Sequence, residues 1–428
     1  MEHDSIGALN VPAEAYYGVQ SMRAATNFQI THRPLHPVLI DSIVMVKKAA
    51  AITNEKSGKL DQQIAQAIIQ ACDEILDGNL RDQFIVDAIQ GGAGTSANMN
   101  ANEVIANRAI EILGGTKGDY SIVHPNDHVN MSQSTNDVIP TAGKITVLKL
   151  LPQTIKELEK LEKAMEEKEA EFDDILKMGR TQLQDAVPMR LGQSFGAFAH
   201  VLKRDIKRLK NVMDEMKVLN IGATAIGTAI GTAINVDPYY LANISYELSK
   251  VAGISLKQAD DLIDATQNLD GFVSVSGVLK TCAVDISKIS NDLRLMSSGP
   301  RTGLSEINLP ARQNGSSIMP GKINPVIPEV VSQVAYLIIG HDYTITMAAE
   351  AGQCEEYIEK SVGISTALCP YIGYAKSAEI AKKSLKTGIS VKELVLEEGL
   401  LKEEELKEIL KPEKMTQPMR EKVMKAVS

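Results

Sequence analysis

Gly315-Ser316-Ser317-Ile318-Met319-Pro320-Gly321-Lys322-Ile323-Asn324-Pro325 brings two adjacent hydroxyls, an ammonium and an amide into one short stretch. Glycines on either side of the serine pair suit a loop that closes over a ligand and carries a hydroxyl to it. Pro320 and Pro325 restrict the backbone on either side of Lys322. A lysine and an asparagine so placed can hold a carboxylate, one as a charge and one as an amide donor. Gly-Ser-Ser alone would also serve as an ordinary polar turn.

Three other segments are dense in small donors. Gly91-Gly92-Ala93-Gly94-Thr95-Ser96 leads into a helical run expected to begin near Asn98. Ser132-Gln133-Ser134-Thr135-Asn136-Asp137 precedes the first long helix, and Gly179-Arg180-Thr181-Gln182-Leu183-Gln184-Asp185 lies between the first two long helices. Hydroxyls and backbone N–H groups at helix starts form anion sites. For any one of these segments alone, helix capping is the favoured reading. His124 and His128 lie four apart, but no third ligand accompanies them, so no metal site is expected.

The elements that must position these groups are helices. Leu151, Ile155, Leu158, Leu161 (or Met165), Phe172 and Ile175 recur every three or four residues, and so do Leu202, Ile206, Leu209, Met213 and Met216. Gly271 to Met296 and Glu329 to Gln353 are further long apolar segments, and no alternation supports a substantial sheet. The pattern predicts an all-α protein: a central long-helix bundle at 137–353, flanked by smaller, mainly helical domains at 1–136 and 354–428. The charged helices from Val391 to Leu410 read as a solvated face. Thr224-Ala225-Ile226-Gly227 is repeated at once as Thr228-Ala229-Ile230-Gly231, a unit close to one helical turn, and no phosphate-loop pattern accompanies it.

Bulk properties narrow the function. The 428 residues can bury a large core, and 44% hydrophobic with 23% charged residues is ordinary for a globular protein. A net charge of −9 without a long basic cluster argues against nucleic acid, and 4% aromatic residues with no Trp argue against base stacking. No secretory h-region and no long apolar run are found, so neither export nor a membrane partner is expected. Cys72, Cys282, Cys354 and Cys369 are scattered, as befits free thiols in a reducing cytoplasm.

The stretch from Gly315 to Pro325 resembles the signature of the aspartase/fumarase superfamily, and the resemblance covers nearly the whole chain. Asp4 to Phe28, Gln90 to Glu103, His128 to Asp137 and Leu176 to Pro188 resemble its other blocks. Gln133-Ser134-Thr135-Asn136-Asp137 and Asn324-Pro325-Val326-Ile327-Pro328-Glu329 look like the aspartate ammonia-lyase branch. Gln182, where fumarases usually carry His, is consistent with that branch. The resemblance implies a lyase that needs no cofactor or metal, acts on a small dicarboxylate, and assembles as a homotetramer with sites built from several subunits. It assigns Ser316 as the base. Thr95, Ser134, Thr135 and Ser317 would be donors to one carboxylate, and Lys322, Asn324 and Thr181 would hold the other. Asn136 and Gln182 would face the amino group, and the block around His124 would be a turn beside the site.

The family order breaks after Ala351-Gly352-Gln353, where Cys354-Glu355-Glu356 already resembles the next domain. About forty residues are expected to be missing, several turns of a bundle helix at about 1.5 Å per residue. A fumarase-type lyase, or a helical scaffold whose site no longer assembles, are the competing expectations.

Overall fold

The computed structural model describes residues 1–4, 6–225, 227, 236–351, 369–387 and 389–409. Its helices are α1 (Val19–Asn27), α2 (Pro37–Lys56), α3 (Gln62–Leu76), α4 (Thr95–Ile112), α5 (Thr135–Glu171), α6 (Leu191–Met216), α7 (Pro238–Ala252), α8 (Leu262–Gln267), α9 (Asp270–Met296), α10 (Val326–Glu350), α11 (Cys369–Ile372), α12 (Tyr374–Thr387), α13 (Val391–Glu397) and α14 (Glu403–Ile409). Among the described residues three short strand pairs accompany them. β1 (Glu2–His3) and β2 (Ala8–Leu9) are antiparallel, as are β3 (Leu176–Thr181) and β4 (Gln184–Arg190), and β5 (Val218–Leu219) runs parallel to β6 (Lys257–Gln258). Among the described residues no sheet exceeds two strands, as the all-α reading expects. No described helix is long and apolar enough to cross a membrane.

The chain divides into two compact units: Met1–Val147 with Lys217–Asn268 and Gly352–Ser428, and Leu148–Met216 with Leu269–Ala351. In the first, α2 packs on α3 and α7, and α3 packs on α4. The ends of α7 follow from its sequence. Asp237 accepts from Tyr239 N at 2.7 Å with Pro238 in the first turn, and Gly253 at φ 68° terminates the helix.

Helix α4 is the unusual element of this unit, because most of its residues are buried and many are polar: Asn98, Asn100, Asn102, Glu103 and Asn107. Glu103 accepts from the backbone N–H groups of Gly18 at 2.9 Å, Gln20 at 2.9 Å and Ser21 at 3.0 Å, and from the Ser21 hydroxyl at 2.5 Å. These are the orphan donors at the start of α1, supplied by a carboxylate far away in sequence. Burial raises the Glu103 pKa, and the Ser21 and backbone bonds oppose the shift.

The C-terminal helices correct one expectation. Val391, Leu394, Val395 and Leu406 are buried with Ile380 in a small core of their own, so α13 and α14 are not a wholly solvated face. Their charges line only the outer side, and a capping box between Ser390 and Glu393 starts α13.

In the second unit α9 packs on both α6 and α10. Leu202, Ile206, Leu209 and Met216 are buried as their spacing predicts, joined by Val212, while Met213 is half-exposed. On α5 the stripe of Leu151, Ile155, Leu158 and Met165 is buried too, but Phe172 and Ile175 lie beyond the helix end. There the chain turns into β3, Gly192 N reaches Phe172 O at 3.0 Å, and Phe172 stacks edge-on against Phe195 at 5.2 Å. Asp342 of α10 takes the Ser276 hydroxyl at 2.8 Å and the Lys280 ammonium at 2.5 Å, which clamps α10 to α9. The other sides of α10 carry apolar residues in the open: Val330, Val334 and Leu337 at helical spacing, with Tyr336, Tyr343 and Met347. The TAIG repeat falls largely on residues 226 and 228–235, and the expected break after Gln353 on residues 352–368. Both lie outside the described residues.

Replacing Glu103 with Gln puts an amide hydrogen among donors that have no other acceptor. Urea denaturation of Glu103→Gln is expected to show a loss of about 2–3 kcal/mol. An unchanged midpoint would mean that α1 is held by other contacts.

Candidate active site

The predicted residues fall into two groups, one in each unit. In the first unit the starts of α4 and α5 lie side by side, since a Cβ on Gly94 would meet Ile139 at 2.9 Å. Gly92, Ala93 and Gly94 all have positive φ, and this curl sets Thr95 at the first helical position, three residues before the expected start. The Thr95 hydroxyl is turned inward and donates to Gly92 O at 2.6 Å.

At the start of α5, the hydroxyl of Ser134, just before the helix, accepts from Asn136 N at 3.3 Å, and Thr135 Oγ1 accepts from Asn98 Nδ2 at 3.3 Å. Asn136 donates to Ala225 O at 2.7 Å through Nδ2, which orients its Oδ1 to accept from another group. Beneath them sits Asp137, fully buried, accepting from Ser134 N at 2.8 Å, Gly222 N at 3.1 Å and Thr224 N at 3.0 Å. Burial pushes its pKa up to about 7 against the pull of those bonds and of Lys47. Lys47 is also fully buried. Burial lowers its pKa to about 7, opposed by Asp137, and its ammonium donates to Asn130 Oδ1 at 2.7 Å.

In the second unit Thr181 and Gln182 stand at an exposed hairpin tip. Thr181 pairs with Gln184, so Gln182 and Leu183 form a two-residue turn, with φ 52° and 61°. This backbone normally takes Asn or Gly, and a glutamine and a leucine there are strained. Glu306 anchors the hairpin, meeting Lys177 at 2.9 Å and Arg180 at 2.6 Å. Burial pulls the Glu306 pKa upward, but those two cations hold it below the usual range.

The loop with Ser316 is closed at its base. Gly315 N donates to Lys322 O at 3.0 Å, and Asn324 Nδ2 donates to Gly315 O at 3.0 Å. A Cβ on Gly315 would collide with the Lys322 carbonyl, so the closure requires glycine. Inside it, Ser316 Oγ accepts from Ile318 N at 3.2 Å and Met319 N at 3.0 Å. Ser317 and Lys322 point outward and are exposed. An oxygen with two amide donors on it is a seat for negative charge.

Sequence reasoning missed Asn98, Lys47 and Asn130, which underlie Thr135. The signal was the run Asn98-Met99-Asn100-Ala101-Asn102-Glu103, too polar for a helix that also carries Val104, Ile105 and Ile110. His124 and His128 use their Nδ1 atoms on backbone. His124 accepts from Asn126 N at 3.2 Å and Asp127 N at 3.1 Å, and His128 accepts from His124 N at 2.9 Å. Among the described residues no group of three His, Cys, Asp or Glu could hold a metal ion. Cys72 and Cys282 are buried free thiols, and burial raises the pKa of both.

Residues 7–340 match the family described as Lyase, and residues 364–417 match Fumarase C C-terminus. An aspartate ammonia-lyase of a Bacillus sp is 49% identical over 460 residues, covering 98% of this chain and 97% of the relative. The chain belongs to the aspartase/fumarase superfamily. A second member of that superfamily, the aspartate ammonia-lyase of Helicobacter pylori strain 26695, is 47% identical over 462 residues and 98% of each chain. Among solved structures, a fumarate lyase:delta crystallin from Brucella melitensis bound to cobalt superposes with a TM-score of 0.80. It is 47% identical and covers 97% of this chain and 99% of its own. A class II fumarase from Schistosoma mansoni gives 0.78 at 32% identity, covering 98% and 99%. The alignments of 460 and 462 positions exceed the 428 residues here, so these superfamily members carry residues that this chain lacks.

Two tests follow from the geometry. Gly315→Ala is expected to open the loop and to speed trypsin cleavage after Lys322 by about tenfold, for a loss of about 1.4 kcal/mol in local closure. An unchanged cleavage rate would show that the loop closes without that contact. Asp137 binds its proton more tightly folded than unfolded, so its contribution to stability falls as pH rises from 3.8 to about 7. Denaturation midpoints of Asp137→Asn should therefore fall less over that window than those of the wild type, and parallel curves would rule this contribution out.

Proposed function

We propose that this chain catalyses the reversible deamination of L-aspartate to fumarate and ammonia. The observation that carries the reading is the seat of Ser316 Oγ on the Ile318 and Met319 amides. A serine hydroxyl is too weak an acid to act as a base unless its oxyanion is stabilised, and two amide donors supply that stabilisation. Similarity to aspartate ammonia-lyases at 49% and 47% identity supports the choice of substrate, against 32% for the fumarase.

In this reading Ser316, as an alkoxide, takes the C3 proton. The released electron pair delocalises into the adjacent carboxylate as an aci-carboxylate, held by hydroxyls of Ser134, Thr135 and Ser317. Thr95 joins them once its hydroxyl turns away from Gly92. The pair then forms the C2–C3 double bond as the C2–N bond breaks, and the amino group leaves with its bonding electrons. Lys322, Asn324 and Thr181 hold the second carboxylate, while Gln182 and the Asn136 carbonyl oxygen face the ammonium. That group needs no strong acid to depart. The division at 1–136, 137–353 and 354–428, the homotetramer and the cytoplasmic location belong to the same proposal. The uncovered apolar rows of α10 support the assembly.

A second reading, a helical scaffold whose site no longer assembles, is favoured by the shortfall against the relatives. The test is fumarate formation from L-aspartate, followed by ultraviolet absorbance. Ser316→Ala is expected to lower turnover by about 10³-fold, the scale of a lost general base. Equal turnover in the variant would remove Ser316 from the mechanism. Activity on L-malate alone would select the fumarase chemistry, and a folded but inert chain would select the scaffold.

A further inference from the structure

The side chains around Thr135 determine where its hydroxyl proton points. Asn130 donates from Nδ2 to Gln133 O at 3.2 Å, and a carbonyl oxygen can only accept. Its Oδ1 therefore faces the other way, where Lys47 Nζ reaches it at 2.7 Å. Turning the Asn130 amide over would set its oxygen against the Gln133 carbonyl oxygen and lose that bond, whatever the charge on Lys47. The orientation of Asn130 is thus held from both ends.

Asn98 Nδ2 lies 3.2 Å from that same Oδ1, so Asn98 must present its NH₂ group there. One hydrogen goes to Asn130, and the other reaches Thr135 Oγ1 at 3.3 Å. Asn98 is 1% exposed and Lys47 0%, so water cannot substitute for either donor. Thr135 Oγ1 is left as an acceptor on this side, and its own proton points away from Asn98.

We propose that Asn98 is a positioning residue that orients the Thr135 hydroxyl as a donor to the substrate carboxylate. The inference rests on the reading of Thr135 given under Proposed function. Without Asn98 the hydroxyl could rotate and meet a developing negative charge with a lone pair. With it, the proton faces the charge before the charge forms, which is where preorganised donors act.

The test uses Asn98→Asp, which keeps the size of the side chain and reverses its role. An ionised carboxylate there would take the Thr135 proton for itself. The variant's kcat/KM for L-aspartate should fall about 10²-fold at alkaline pH, the effect of one lost oxyanion donor. The ratio of variant to wild type should recover as pH falls, because a protonated carboxyl can donate again. In a Thr135→Val background, Asn98→Asp should add no more than about a twofold loss, since the relay has nothing left to orient. Asn98→Ala, measured beside it with thermal melting by circular dichroism, guards against misfolding of the acidic variant. It should lose about tenfold, the equivalent of one net hydrogen bond, and that loss should also vanish with Thr135→Val.

Losses that multiply in the double variants, or a ratio flat with pH, overturn the relay while leaving Thr135 in place. Wild-type turnover in Thr135→Val removes Thr135 as a substrate donor, and this inference with it. An inert wild-type chain brings down the parent reading instead.

Discussion

The burial of α4 is the constraint on which the first unit depends. A helix with almost no solvent face must find internal partners for every polar side chain, because an unpaired buried amide costs roughly 1–3 kcal/mol. Four of the polar rungs of α4 thereby become connectors, while Asn102 reaches only Met99 Sδ, at 3.4 Å on the same helix. Asn100 joins Ile85 N at 2.9 Å to Gln83 O at 3.0 Å, and Asn107 joins Tyr16 O at 2.9 Å to Gly118 N at 2.7 Å. Glu103 holds the start of α1, and Asn98 meets Asn130 and Thr135. Segments with little regular structure are thereby fixed against one rigid element, and the donors of the candidate site inherit that rigidity.

Beneath the start of α5, Lys47 and Asp137 are ionisable groups placed fully inside the protein. Such a pair is weak evidence for stability, since desolvation opposes the gain from attraction. Its value here is geometric. Asp137 ties Ser134 to the segment at Gly222 and Thr224, so the donors at the head of α5 and a loop far along the chain are fixed together. The hydroxyl of Ser316 is seated differently, by main-chain amides of its own loop, so its environment exists only while the loop keeps its shape.

Much of this was legible in the sequence. The long helices announced themselves through apolar residues every three or four positions, because burial on one face leaves that trace. The site segments were visible as clusters of small donors and, above all, through their likeness to a known signature. The hairpin at β3 and β4 left no alternation, since six of the seven β4 residues and half of the six in β3 face solvent. The turn at Gln182-Leu183 was invisible for a related reason: no Asn or Gly marks its left-handed backbone. The core of α12–α14 hid behind the charges on its outer side. The supporting amides were missed because an asparagine in a helix usually reads as a poor helix former, and not as a buried bridge.

Helix α10 carries a further consequence. Its exposed rows of Val330, Val334 and Leu337, with Tyr336, Tyr343 and Met347, are apolar surface held rigidly by the clamp at Asp342. Whatever comes to cover that surface is drawn there mainly by water's exclusion, a force that weakens on cooling and strengthens in sulfate or phosphate. For a partner seated on α10, chilling would act in the same direction as dilution, whereas the hydrogen bonds around α4 do not depend on that force.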